Sequence, residues 1–140
     1  MSRRELREHI FRLLFCVDFH DRQEMSQQGQ LYIEALKHPD ETSDAHIPDD
    51  EDTSYILEKT AHIVDHLEEL DQKVNDVATG WKTTRMGRVD LTIIRLALYE
   101  MLYDEDVPTG VAINEAVELA KKYGSDESPS FVNGILARLV

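Results

Sequence analysis

At 140 residues the chain suits one domain or two tightly packed halves, and a chain of this size buries roughly 68% of its unfolded surface, so it needs no staples. Its single cysteine, Cys16, excludes an intramolecular disulfide and a zinc site built on thiolates. The net charge of −13 argues against non-specific adhesion to nucleic acid. The N-terminus alternates arginine with glutamate instead of leading into an apolar run, and no stretch approaches the length of a membrane span. A soluble, cytoplasmic, bacterial-type protein with no membrane or DNA partner is the expectation.

The first predicted helix runs from about Arg3 to His20, with Leu6, Ile10, Leu13, Leu14 and Val17 as its core stripe. Ser2 and Glu5 fit a capping box. Arg3, Arg4 and Arg7 then fall in the first two turns, where the helix dipole favours acids. A local choice against a helix rule sometimes marks function. Arg4, Arg7, Phe11 and Phe15 form a stripe beside the core stripe. Guanidinium groups interleaved with aromatic rings suit single-stranded nucleic acid, the cations holding phosphates and the rings stacking on bases. The pattern equally suits two phenylalanines that contact the second helix, beside arginines that solubilise the end.

A weaker helix covers about Met25 to Lys37, carrying Leu31, Ala35 and Leu36, and stops before Pro39. Residues 39–52 read as a solvated acidic loop that holds seven carboxylates, from Asp40 to Asp52, and no lysine or arginine. A long helix starts near Thr53 with the stripe Ile56, Thr60, Ile63, Val64 and Leu67, and Asp71 is placed to cap a short continuation. His62 and His66 have metal-ligand spacing, but no Glu follows His62 and no third ligand is evident, so a solvated or half-buried pair is expected and no metal.

Gly80 to Gly87 is a break. The segment after it, V-D-L-T-I-I-R-L-A-L-Y-E, is apolar nearly all round, as in a central buried helix. Pro108 and Thr109 open the next helix. Ala112, Ile113, Ala116, Val117, Leu119, Ala120 and Tyr123 lie on its buried face, and Gly124 is expected to close it in the left-handed conformation. Ser128 as N-cap and Pro129 in the first turn start the last helix, whose buried stripe is Val132, Ile135, Leu136 and Leu139. Phe131 lies at the edge of that stripe, where core padding and ligand stacking both remain open. The periodicity thus predicts an all-α fold without sheet, in two helical bundles divided near 79/80. No phosphate-binding glycine loop, nucleophile elbow or poised acid/base pair appears, so neither an enzyme nor a cofactor is expected.

Three stretches resemble the NusB family of bacterial transcription antitermination factors and together span nearly the whole chain. They are S-R-R-E-L-R-E-H-I-F-R-L-L-F near the N-terminus, G-W-K-T-T-R-M-G-R-V-D-L-T-I-I-R-L-A-L-Y-E in the middle, and V-P-T-G-V-A-I-N-E-A-V-E-L-A-K-K-Y-G with F-V-N-G-I-L at the end. The resemblance implies a NusB-like fold of about seven helices and no enzymatic activity. It implies pairing with NusE, a small-subunit ribosomal protein, and binding of the pair to boxA RNA alongside other Nus factors and RNA polymerase. An acidic surface would meet the basic ribosomal protein while a small basic edge meets RNA.

Carried over residue by residue, Arg3, Arg4 and Arg7 match the arginine-rich RNA-binding motif. Phe15 stands where many relatives have tyrosine, and Phe11 belongs to the same stripe. Glu127, Ser128 and Phe131 match the C-terminal turn implicated in RNA contact, with glutamate in place of a frequent aspartate. Asp90 falls in the NusE-facing region. Three arginine–phosphate contacts predict a log-affinity against log-salt slope of roughly −2. The alternatives are an all-α protein-interaction module without RNA function, and a targeting domain of an RNA cytosine methyltransferase, for which no methyl-donor region is present.

Overall fold

The computed structural model describes residues 1–38 and 46–140. Among them are seven α-helices and no strand: α1 Arg3–Phe15, α2 Met25–Lys37, α3 Asp50–Asp65, α4 Leu67–Val77, α5 Arg88–Tyr103, α6 Thr109–Tyr123 and α7 Ser128–Ala137. They fall into two compact units, Met1–Val64 and Asp65–Val140. The division precedes α4, ahead of the expected 79/80, because α4 packs on α5.

In the first unit α1 is shorter than its sequence periodicity. It ends at Phe15, and Cys16–Phe19 tightens into a 3₁₀ turn. Ile10, Leu14, Ile56 and Ile63 are fully enclosed. On α2 the buried positions are Met25, Gly29 and Ile33, not Leu31 and Ala35, which are exposed. Gly29 explains the choice of face. A Cβ there would stand 2.8 Å from Leu57 Cδ2, so a larger residue would displace the tip of the Leu57 side chain where α2 meets α3.

The expected acidic loop is partly helix. Residues 39–45 lie outside the described residues, but Asp50 to Asp52 form the first turn of α3. Asp49 Oδ1 accepts the Asp52 N–H at 2.8 Å, and Asp52 Oδ2 accepts the Asp49 N–H at 3.2 Å. This is a reciprocal cap, and the acids suit the positive end of the helix dipole. Desolvation works against the Asp52 charge, but the Asp49 N–H and the N-terminal ammonium 3.4 Å away outweigh it and hold the carboxyl below its ordinary range.

In the second unit α5 is the centre, buried continuously from Leu91 to Leu98, with α4, α6 and α7 against it. Ala112, Ala116 and Ala120 recur at i, i+4 and i+8 on α6 and are buried. That spacing puts three small side chains on one face, and small side chains let neighbouring backbones approach. Asp71 caps nothing. It lies inside α4 and receives the guanidinium of Arg95. The helix break falls earlier, at His66, whose φ of −106° and ψ of 5° separate α3 from α4.

Candidate nucleic-acid interface

The expected site residues lie in both units, five on α1 and three at the start of α7. On α1, Ser2 caps the helix by accepting the Glu5 N–H at 3.1 Å. The Glu5 carboxylate also meets His46 Nδ1 at 2.7 Å. That hydrogen bond leads the effects holding Glu5 below the ordinary glutamate range.

Arg3 and Arg4 are exposed in the first turn of the helix, and Arg4 also has partners within the fold. Arg7 and Phe11 behave differently. Arg7 is 8% exposed and Phe11 only 3%. The two are one turn apart on a face continuous with Ile10 and Leu14, so the unit closes over them. Arg7 has partners within the fold. Phe11 is therefore a core residue whose ring is closed to a base. Of the aromatic stripe only Phe15 keeps an accessible ring; it is half-buried, with Phe19 beside it at 5.5 Å between centroids.

The C-terminal turn is built on one close approach. Gly124 is extended, with φ −93° and ψ −171°, not left-handed as expected. Its glycine identity has a steric cause. A Cβ at this position would fall 2.5 Å from both Cβ and Oγ of Ser128 and 2.8 Å from the Ala120 carbonyl oxygen. Ser128 is 2% exposed, and its hydroxyl accepts the Ser125 N–H at 2.9 Å. Ser128 is thus inside the helix it was expected to cap. Glu127 takes the N-cap position without a side-chain cap. The hydroxyl of Ser128 thus holds the turn from inside the fold. Glu127 itself is exposed.

Phe131 is half-buried, and its ring meets Trp81 edge to face, with centroids 6.0 Å apart and planes at 71°. Sequence reasoning passes over Trp81. The available signal is a tryptophan next to a lysine in a glycine-bounded break that contains no acid.

Asp90 is half-buried in the first turn of α5, where its charge suits the helix N-terminus. The ring of His66 lies 4.6 Å from that of Tyr103 and 5.8 Å from that of Tyr99. Because α3 ends between His62 and His66, their four-residue spacing is not a continuous helical one. Among the described residues no three His, Cys, Asp or Glu side chains converge as metal ligands.

Comparison with known proteins places the chain in a family. The model of the NusB family matches residues 4–140. The transcription antitermination protein NusB of Agathobacter rectalis is 50% identical over 138 residues, 99% of this chain and 98% of that protein. Among solved structures, NusB of T. maritima superposes with a TM-score of 0.82 at 32% identity, over 99% of this chain and 90% of the other. A chain in the crystal structure of antitermination factors NusB and NusE in complex with double-stranded RNA gives a TM-score of 0.75 at 25% identity, over 98% and 94% of the two chains.

Proposed function

We propose, from the premise that this chain belongs to the NusB family, that it pairs with NusE and that the pair binds boxA-type single-stranded RNA in ribosomal RNA transcripts. Other Nus factors and RNA polymerase complete the assembly in this reading, which places the protein in the bacterial cytoplasm. The family acts in transcription antitermination, a binding function and not a catalytic one. The observation that carries the proposal is the match over nearly the whole chain to a factor solved together with NusE and RNA.

The local chemistry fits. Arg3 and Arg4 are exposed at the start of α1, and the half-buried Phe15 ends the same helix. Glu127 and Phe131 offer a carboxylate acceptor and a ring edge at the start of α7. Phosphates would engage the arginines, and an unpaired base would stack on the ring. Asp90 is proposed to face NusE, where an acid would complement a basic ribosomal protein.

Fluorescence anisotropy of a labelled boxA-type RNA, with and without cognate NusE, tests the reading. The expected result is tight, sequence-dependent binding that requires NusE and weakens in Arg3→Ala/Arg4→Ala. If NusE neither binds the protein nor enhances RNA binding, the protein is an all-α interaction module instead.

A further inference from the structure

The loop between α4 and α5 is held by two inward residues. The Thr83 N–H donates to Asn75 Oδ1 at 2.8 Å, and Thr83 and Met86 are both buried. Gly80 enters the loop at φ +81°, a left-handed conformation that suits glycine. The Trp81 N–H returns to the Ala78 carbonyl at 3.1 Å. These anchors turn Trp81, Lys82, Arg85 and Arg88 outward.

Residues 80–88 contain three cations and no acid, in a chain of net charge −13. Trp81 at their head is 56% exposed. Tryptophan is highly buried on average, and leaving this much apolar surface in water costs folding free energy. The edge-to-face contact with Phe131 props the ring upright against α7.

The geometry points to this loop as a second RNA contact, in which Trp81 stacks on an unpaired base and Lys82 and Arg85 hold the flanking phosphates. The inference rests on the RNA-binding reading above and extends it to residues outside the arginine-rich helix and the C-terminal turn. A single-stranded ligand is the occupant that uses both parts of the surface. A protein partner could cover the indole, but a basic ribosomal protein would be repelled by the cations. Bases in a duplex are already stacked and leave the indole no face to meet.

Trp81 is the only tryptophan of the chain and therefore reports on its own contact. The complex with NusE is titrated with boxA-type RNA while indole emission and labelled-RNA anisotropy are followed together. The Trp81→Phe complex supplies the background emission. Quenching that saturates with the anisotropy is expected, and a duplex of the same sequence should not reproduce it. Trp81→Ala should lose about tenfold in RNA affinity, Trp81→Phe should lose much less, and both should bind NusE as the parent does. Lys82→Ala/Arg85→Ala should flatten the salt slope by roughly 1.4 with an unchanged melting temperature.

RNA binding with unaltered indole emission and full affinity in Trp81→Ala would overturn the inference and leave the antitermination reading intact. Loss of NusE affinity in Trp81→Ala would overturn it in favour of a protein contact. Absence of RNA binding by the parent complex would overturn both.

Discussion

Arg95 of α5 grips Asp71 of α4 through two parallel hydrogen bonds, Nε to Oδ1 at 2.8 Å and Nη2 to Oδ2 at 2.7 Å. The guanidinium is enclosed, with its side chain 6% exposed against 24% for the aspartate. Planar bidentate geometry is what makes such a pair strong. Removing Asp71 takes this bidentate carboxylate away from an enclosed guanidinium. Asp71→Ala should therefore cost roughly 3–5 kcal/mol in denaturant unfolding, at the upper end only if the site stays dry. The double variant Asp71→Leu/Arg95→Met should recover most of that loss. A double variant as unstable as Asp71→Ala would show that the pair contributes more than mutual neutralisation.

Gly124→Ala tests the steric reading of the C-terminal turn. The new methyl group would strike Ser128 and the Ala120 carbonyl, although the backbone angles suit any residue. A loss of about 1–3 kcal/mol is expected, as for overpacking elsewhere. Ser128→Ala should cost about 1 kcal/mol through its lost hydrogen bond. Thermal unfolding of both variants checks the order, and an unchanged melting temperature in Gly124→Ala would refute the close approach.

The two kinds of α1 residue should separate in experiment. Arg3→Ala/Arg4→Ala should leave stability within about 0.5 kcal/mol, as exposed substitutions do. The same change should weaken RNA binding and reduce the salt slope by roughly 1.4. Phe11→Ala should instead cost about 3–5 kcal/mol of folding free energy as a core truncation. Salt-dependent anisotropy and denaturant melts on the same preparations would distinguish them. A stable Phe11→Ala protein with selectively lost RNA affinity would return that ring to the interface.

His9 makes acid stability predictable in sign. Its ring is half-buried against the Tyr32 hydroxyl, 2.7 Å from Nδ1. Burial first, then the Arg12 charge, depresses its pKa below the ordinary histidine value, while Glu8 and Glu5 oppose the shift. The unfolded chain therefore binds the proton more readily. Stability contributed by neutral His9 is present above pH of about 6.5 and is lost as pH falls through the lower folded value. Urea midpoints between neutral and mildly acidic pH should decline, and His9→Gln should lessen the decline. An equal decline in His9→Gln would assign it to other groups.

The Thr60 hydroxyl is buried on α3 with no hydrogen-bond partner among the described residues. Thr60→Val keeps the shape and removes the orphaned polar atom. A gain on the order of 1 kcal/mol is expected in chemical denaturation. A loss would mean that the hydroxyl finds a partner in solution, such as a bound water.

The helices and the family were legible because their signals are local. Helical periodicity, the Ser2 cap, the Pro108 start and the apolar run of α5 depend on neighbours a few residues away. The expected left-handed end at Gly124 failed even so, because a glycine also marks close approach, and the sequence does not say which of the two applies.

Arg3, Arg4, Phe15 and the C-terminal turn were legible as candidates through charge, spacing and family resemblance. Their accessibility was not. Phe11 and Ile10 sit on adjacent stripes of one helix, and the periodicity of that helix alone cannot tell which stripe a neighbour covers. The same ambiguity hid the Met25–Gly29–Ile33 face of α2 and the partnership of Asp71 with Arg95, whose members are 24 positions apart. The sequence by itself determined a helical fold of the NusB family and roughly where its described helices lie, through interactions within a turn or two. Only the tertiary structure decided that Phe11, Arg7 and Ser128 are enclosed while Trp81 is exposed, because burial is set by the packing of segments distant in the chain.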